Sequence, residues 1–340
     1  MRFLILAFLT FAVVAISSGA RALVSSPAQN GSKLYVTNSS GDDVTIIDPA
    51  TLKVIRSLKV GQGPHGLVAS ADGTRLYLTV EDTQKLLIID TATDQTIGEV
   101  PIGKTPNKPT LSKDERYCYV PLRGEDAFEI VDLKALKVVK RLPAPAWPHN
   151  MYTSPDGKRI YLGSINGGKI TVIDPATQSV ASEIDMGAGV RPMAISKRGS
   201  PIYVALSKLH GFAVFDPDQK KIIRKVELPP LPPDTPTPYL NTYTHGLLLV
   251  DNDRELWVTS CPGNALYVFS LPDLKQTAKI ETGELPNWLT ATADDRIVFV
   301  SNAAADTVTA IDARTKKVLA TIPVGRAPKR LLVVTPKPAA

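Results

Sequence analysis

The sequence predicts an all-β fold, a seven-bladed β-propeller built from four-stranded antiparallel blades. The first observation is a repeat of 42 residues, which places aromatic residues at Tyr35, Tyr77, Tyr119, Tyr161 and Tyr203, and then at Trp257 and Phe299. The second is an aspartate column with the same period, at Asp48, Asp90, Asp132, Asp174, Asp216 and Asp312. A fixed period of this length indicates one supersecondary unit copied in tandem, here seven times.

Each repeat reads as four short strands, which we name a to d in chain order. In the second copy they are 65–70, 75–80, 85–90 and 96–102, joined by turns that leave no room for a helix. Strands a to c are apolar at both odd and even positions, which is typical of sheets packed on both faces. Strand d carries lysines and arginines, which protect an exposed outer edge from pairing with another sheet.

The two ends of the repeat array complement each other. The first copy begins with strand b at 33–38, and an extra strand a, at 329–334, follows the last copy. The chain has seven of each strand only if this C-terminal strand completes the first blade. We therefore expect it to pair with 33–38 and close the ring. One aromatic step is 54 residues, 12 more than the period, which indicates an insertion at 229–243.

The recurrent aspartates are predicted to be structural. The segments 48–51 and 174–177 both read Asp-Pro-Ala-Thr, which suits a type I turn in which the aspartate carboxylate caps backbone N–H groups. Blade six departs from the pattern, with Ser270 in place of the aspartate.

The first 22 residues are predicted to be a secretory signal peptide. Arg2 precedes an apolar run at 3–16, and Ala20-Arg21-Ala22 has the small residues of a cleavage site. We expect cleavage near Ala22 and delivery of the mature chain to the periplasm or out of the cell.

The mature chain is expected to be a monomer with one propeller domain at 23–335 and a disordered tail at 336–340. No second apolar stretch is long enough to span a membrane. The formal charge of +6 is mildly basic, and acidic residues are mixed among the basic ones, so a nucleic-acid partner is disfavoured. Cys118 and Cys261 fall in blades three places apart, too far for a disulfide.

The first repeat contains Tyr35-Val36-Thr37-Asn38, followed by Val44-Thr45-Ile46-Ile47-Asp48 and Gly61-Gln62-Gly63-Pro64-His65. This pattern resembles the YVTN-type β-propeller repeat family, which consists of exported bacterial and archaeal proteins. The resemblance covers nearly all of 32–335 and implies the propeller fold and export. It implies no particular activity, because the family's signature residues are strand and turn residues.

The candidate site is the set of residues that open strand a in each blade, at the mouth of the central channel. For blades one to seven this mouth column consists of Lys329, His65, Asn107, His149, Arg191, His245 and Asn287. All seven are polar, and three of the four histidines in the chain occupy alternate blades. Trp147 and Trp288 are neighbours of the column in sequence and could provide stacking surfaces.

Three interpretations of the mouth column are open. The residues could be polar only because strand ends are wet. They could bind an anionic or polar ligand, since Lys329 and Arg191 make the mouth basic. They could hold zinc or copper on His65, His149 and His245, although the nearby cations repel a metal ion.

The sequence favours a binding or scaffold protein over an enzyme. Its partner would be a small anionic or polar ligand, or a periplasmic protein. Motifs for serine, metal or haem chemistry are absent, and carboxylates of the mouth face, Glu81 among them, fall in b-to-c loops expected to lie outside the ring. The alternative is a metal- or cofactor-dependent periplasmic oxidoreductase, or a subunit of one, with a transition metal on the three histidines. The proline-rich insertion is expected to be stiff and extended, as a cover or ledge at the mouth.

Overall fold

The computed structural model describes residues 31–337, which form seven four-stranded antiparallel sheets arranged as the blades of a ring. Blade one contains β1 (Lys33–Asn38), β2 (Asp43–Asp48) and β3 (Lys53–Lys59), and blade two contains β4 (Pro64–Ala69), β5 (Arg75–Val80), β6 (Lys85–Asp90) and β7 (Gln95–Pro101). Blade three contains β8 (Thr110–Leu111), β9 (Tyr117–Leu122), β10 (Ala127–Asp132) and β11 (Lys137–Pro143). Blade four contains β12 (Pro148–Thr153), β13 (Ile160–Ser164), β14 (Lys169–Asp174) and β15 (Ser179–Asp185).

The remaining blades have the same organisation. Blade five contains β16 (Val190–Ile195), β17 (Ile202–Leu206), β18 (Gly211–Asp216) and β19 (Lys221–Glu227), and blade six contains β20 (Leu247–Val250), β21 (Glu255–Ser260), β22 (Ala265–Ser270) and β23 (Lys275–Glu281). Blade seven contains β24 (Pro286–Ala291), β25 (Ile297–Asn302), β26 (Thr307–Asp312) and β27 (Val318–Pro323), and β28 (Pro328–Val334) returns to blade one. The predicted seven-bladed propeller is confirmed.

Helix is nearly absent from this part of the chain. One 3₁₀ turn, Tyr239–Asn241, is the only helical segment between residues 31 and 337. Accordingly, no helix in that range is long and apolar enough to cross a membrane. The predicted signal peptide lies outside the described residues, as do the last three residues of the predicted tail. Lys337 is described, and its backbone N–H donates to the carbonyl of Asp72 at 2.9 Å.

The last strand closes the ring. β28 pairs antiparallel with β1, with Lys33 opposite Val334 and Tyr35 opposite Leu332. The sheet order is β28-β1-β2-β3, so the C-terminal strand is the innermost strand of the N-terminal blade. This confirms the predicted closure, which leaves no blade without its inner strand.

The core lies between adjacent blades, because each blade buries both faces of its inner strands. One such cluster joins blades one and two through Tyr35, Ile46, Leu67 and Leu78. The outer strands differ, as the sequence predicted: every residue of β3 except Leu58 is exposed. Cys118 and Cys261 are both buried and unpaired, which confirms the expectation of no disulfide.

The aspartate column forms the predicted turns. Its carboxylates accept hydrogen bonds from backbone N–H groups two or three residues later, at 2.7–2.9 Å, in Asp48, Asp90, Asp132, Asp174, Asp216 and Asp312. Ser270 replaces the aspartate in blade six, and its hydroxyl donates to Asp273 at 2.8 Å instead. These residues shape the turns on the face opposite the mouth.

Buried hydroxyls on strand b hold the mouth column in place. Thr37 Oγ1 donates to the carbonyl of His65 in the next blade at 3.1 Å and accepts from the backbone N–H of Arg330 in its own blade at 3.1 Å. Thr79 and Ser301 make the same two kinds of contact in blades two and seven. A hydroxyl thus joins the inner strands of adjacent blades where the pairing of strands a and b is irregular.

Candidate functional site

Five residues of the mouth column are second in their strand a, whereas Asn107 and His245 precede β8 and β20. The side chains of the column are buried rather than wet. His65, Asn107, His149, Arg191, His245 and Asn287 are 0–9% exposed, and only Lys329 is partly open. The interpretation that these residues are polar because strand ends are solvated is therefore wrong. Polar groups at this depth need internal partners or a ligand.

Arg330 occupies the centre of this polar cluster. It follows Lys329 in β28, and its side chain is 2% exposed. Nη2 donates to Oδ1 of Asn150 at 2.9 Å and to Oδ1 of Asn107 at 3.3 Å, and Nη1 donates to Oδ1 of Asn287 at 3.4 Å. The three asparagines come from blades four, three and seven, so an arginine from blade one spans the channel.

The guanidinium of Arg330 has no anionic partner. No carboxylate in residues 31–337 lies within ion-pair distance of it, and its Nε–H has no hydrogen-bond acceptor. The side-chain amide nitrogen of Asn107 is also buried without an acceptor. Burial lowers the pKa of Arg330 to about 10, which still leaves it charged at neutral pH. The cluster therefore combines a positive charge that has no direct ion pair with two unused donors.

Aromatic rings pack on one side of Arg330. Its Cζ lies 4.1 Å from the ring centroid of Trp288, which is a cation–π contact. The Trp288 ring is 6.0 Å from that of His245, which in turn meets His149 edge to face at 5.6 Å. Trp147 was also predicted to line the mouth; its ring lies 5.9 Å from the guanidinium of Arg123.

His149 and His245 are neutral side chains with fixed orientations. Nδ1 of His149 accepts from the side-chain amide of Asn150 at 2.8 Å, and Nδ1 of His245 donates to the carbonyl of Asn287 at 3.1 Å. Burial, and next the charge of Arg330, lower the pKa of both imidazoles well below the usual 6.5. At neutral pH these histidines contribute dipoles and ring surface rather than charge.

Glu81 and His65 form a second polar cluster at the mouth. Oε1 of Glu81 lies 3.0 Å from Nδ1 of His65 and 3.5 Å from Nη2 of Arg123. Burial lowers the pKa of His65 to about 4, although Glu81 opposes the change. Burial also disfavours the ionised form of Glu81, but His65, Arg123 and Lys329 outweigh it and lower the pKa to about 2.

The contact with His65 corrects the expectation that mouth-face carboxylates lie outside the ring. Glu81 directly follows β5, and the end of strand b is adjacent to the start of strand a, so its side chain reaches the mouth column. The repeat places the end of strand b beside the start of strand a in each blade, and this placement could have identified Glu81 as a neighbour of His65. Asn150 was missed for a different reason, because it lies one residue past the column, at a position to which the repeat assigned no role.

Two more cations complete the positive character of the channel. Nε of Arg191 donates to Oγ of Ser207 at 3.0 Å, and burial lowers the pKa of Arg191 to about 10. Nζ of Lys108 donates to the carbonyl of Met151 at 2.8 Å and lies 4.2 Å from the centroid of the Tyr152 ring. Burial, together with the charge of Arg330, lowers the pKa of Lys108 to about 7.

The geometry gives the three-histidine metal hypothesis no support. Throughout residues 31–337, no group of three or more His, Cys, Asp or Glu side chains is placed to hold a metal ion. His65 is engaged with Glu81, whereas His149 and His245 meet edge to face with Nδ1 of each already bonded. Arg330 adds a fixed positive charge beside them.

The insertion at 229–243 connects β19 to β20. The carbonyl of Asn241 accepts from the backbone N–H of Lys208 at 2.9 Å, and that of Tyr243 accepts from Cys261 at 2.8 Å. The insertion is therefore fastened to the b-to-c loops of blades five and six. Instead of remaining extended, it makes a turn at 232–235 and the 3₁₀ turn, and it leaves Tyr239 83% exposed.

Comparison with known proteins supports the fold. A family model described as a YNCE-like beta-propeller matches residues 110–201, and no curated protein matches the chain. The periplasmic gluconolactonase PpgL of Pseudomonas aeruginosa has a TM-score of 0.74 and 20% identity, over 90% of this chain and 99% of that one. Hydrazine synthase of Kuenenia stuttgartiensis has a TM-score of 0.72 and 19% identity, over 84% of this chain and 93% of that one.

A third solved structure, the dihydro-heme d1 dehydrogenase NirN in complex with DHE, has a TM-score of 0.65 and 15% identity, over 89% of this chain and 75% of that one. The names of these three proteins differ widely in chemistry, while the fold is shared. At these identities the similarity shows the architecture alone: the chain is a seven-bladed β-propeller.

Proposed function

We propose that this protein binds a small anion in its central channel, with Arg330 as the principal charge contact. The observation that carries the proposal is the buried guanidinium of Arg330, which contacts three neutral asparagines and a tryptophan ring but no carboxylate among residues 31–337. An anion is the partner that such a group lacks.

The free energy of burial favours this interpretation over a purely structural one. Removing an ion from water costs several kcal/mol, on the order of the whole stability of a domain, unless an opposite charge or strong hydrogen bonds offset it. Asparagine dipoles offset part of the cost for Arg330, yet its Nε–H and the Asn107 amide remain unused. An acidic group that accepts from both would form charge-assisted hydrogen bonds, which are stronger than neutral ones.

The surroundings of Arg330 favour an anion as well. Lys329 and Arg191 add positive potential, and a concave site with low-dielectric walls concentrates anions. Trp288 places a flat ring surface beside the guanidinium, and the His245 ring lies next to that of Trp288, which suits a ligand with a planar body. A binding role of this kind needs no catalytic group.

We further propose that the protein is exported and related to the YVTN-type propellers. Residues 1–22 have the charge, apolar run and cleavage site of a signal peptide, and the first repeat spells the family's motif. One similar solved protein is named as periplasmic. Mass spectrometry of the native protein checks this: a mature chain beginning near Leu23 is expected, and an intact N-terminus contradicts export by cleavage.

The oxidoreductase alternative has no specific observation in its favour within the described residues. Metal analysis of protein purified without an affinity tag tests it directly. A stoichiometric transition metal that is lost when His149 is replaced would establish that alternative and displace the anion proposal.

Replacing Arg330 tests the anion proposal. Arg330→Met removes the guanidinium, and Arg326→Met removes the same charge from an exposed position on the mouth face. The melting temperature of each protein is followed while sodium acetate is added. Wild type and Arg326→Met should be stabilised, by about 1.4 kcal/mol when acetate reaches ten times its Kd, whereas Arg330→Met should not respond.

General salt effects cancel in this comparison because the two variants carry the same net charge. Should Arg330→Met fail to fold, Arg330→Lys keeps a positive charge but lacks the fork that reaches three asparagines, and it should bind acetate more weakly. An equal response of wild type and the Arg330 variant to acetate contradicts the proposal.

A further inference from the structure

Glu81 is the one carboxylate among residues 31–337 that an ion-pair contact joins to the mouth column, and its contacts are poorly formed. Nδ1 of the neutral His65 and Nη2 of Arg123 lie within 3.5 Å of its Oε1. Yet this oxygen is buried and accepts no hydrogen bond with suitable alignment. The carboxylate is thus held by the nearby charges of Arg123 and Lys329 rather than by fitted donors.

The backbone around Glu81 is fixed, and its side chain lies at the boundary with solvent. The Glu81 N–H donates to the carbonyl of Gly63 at 2.8 Å, which ties the loop to the connection before β4. The side chain itself is 20% exposed, and Arg123 is 27% exposed. The Glu81 side chain is therefore in contact with solvent as well as with the mouth column.

Resting on the function proposed above, we propose that Glu81 is a built-in counter-ion of the mouth and that the ligand's acidic group takes its place. Glu81 neutralises part of the charge of Lys329, Arg123 and Arg330 while the channel is empty. A carboxylate that enters then meets the same cations, with Arg330 and Asn107 providing the donors that Glu81 does not reach.

The proposal specifies the chemical class of the ligand. A group that exchanges with a glutamate side chain has the size, charge and acceptor geometry of a carboxylate, so the ligand is a small carboxylic acid in its ionised form. It also assigns Glu81 a role in selection. Weak or neutral ligands cannot compete with the resident carboxylate, whereas an anion that also reaches Arg330 can.

The test compares Glu81→Gln with Asp82→Asn. Both remove one negative charge from the same loop, but Asp82 is exposed and has no contact with the mouth column, so screening weakens its effect. Acetate binding to each protein is measured by calorimetry at constant ionic strength. We expect the Kd of Glu81→Gln for acetate to be about tenfold lower than that of wild type. The Kd of Asp82→Asn should match that of wild type.

The outcomes separate this inference from the function on which it rests. If wild type binds acetate and Glu81→Gln binds it no more tightly, Glu81 is not a competitor and the inference is wrong, while the channel site stands. If Asp82→Asn gains as much as Glu81→Gln, the effect is general electrostatics and the inference is again wrong. If neither wild type nor Glu81→Gln binds acetate, both proposals fail.

Discussion

At the scale of single residues, the channel is organised around a cation that neutral groups support. Asn107, Asn150 and Asn287 each turn a side-chain oxygen toward Arg330, which orients the guanidinium without neutralising it. A carboxylate in any of these positions would cancel the charge and remove the reason for an anion to enter. The choice of amide over acid in three blades is therefore consistent with a site that receives its negative charge from outside.

The buried histidines give the protein a defined pH response. Because the folded-state pKa values of His149 and His245 lie below the unfolded value of about 6.5, the unfolded chain binds more protons below that pH. The stability that the two neutral imidazoles contribute is fully present above pH 6.5, and it is lost as the pH falls below that value. Each contributes a slope that approaches about 1.4 kcal/mol per pH unit.

Replacing both histidines with glutamine should therefore reduce the slope of unfolding free energy against pH between 6.5 and 5. The slope that His65 contributes through its own lowered pKa should remain. Urea denaturation at several pH values measures the slope for wild type and for the double variant. The same slope in both proteins would mean that these imidazoles are protonated in the folded state, and it would contradict the neutral assignment.

The repeat period located the mouth column but could not show where Arg330, Glu81 and Asn150 direct their side chains. A period of 42 residues aligns equivalent positions in the blades, so His65 and its six counterparts were found together. Arg330 and Asn150 sit one position later, and which side of an irregular inner strand faces the axis depends on contacts between blades. Those contacts involve Thr37 and other distant residues, and no local pattern encodes them.

At the scale of elements, the inner strands show where local sequence overrides the repeat. Strand a of blade three was expected to open at Asn107, yet β8 contains only Thr110–Leu111. Pro106 and Pro109 lack the backbone N–H that a strand ladder requires, which explains the short strand. β20 is also short and begins at Leu247. The other strands follow the repeat closely, because their continuous apolar runs and their turn residues are local signals.

The closing strand is the element on which the ring depends most. β28 pairs with β1 and also packs beside β24 and β4, so it contacts blades seven and two as well as its own. Deleting residues 327–340 should expose the edge of β1 and lead to aggregation or misfolding. Solubility and thermal unfolding of the truncated chain check this. A soluble truncation with the melting curve of the full chain would contradict the role of β28.

At the scale of the whole molecule, a closed ring creates an axis that all seven blades share. Residues from blades one, three, four and seven meet at Arg330, although they are up to 223 positions apart in sequence. Such a meeting point suits a ligand site, because loops and strand ends can vary there while the blades remain packed. The solved propellers similar to this chain carry names from unrelated chemistries, so the channel residues, and not the fold, would specify the ligand proposed above.

Anomalous diffraction from crystals soaked in sodium bromide tests the central claim most directly, because it locates an anion whatever the identity of the natural ligand. We predict a bromide peak inside the channel, in contact with Nε of Arg330 or the side-chain amide of Asn107, and no such peak in crystals of Arg330→Met. Bromide found only on the exposed lysines and arginines of the outer strands, with ordered water filling the space beside Arg330, would contradict the account.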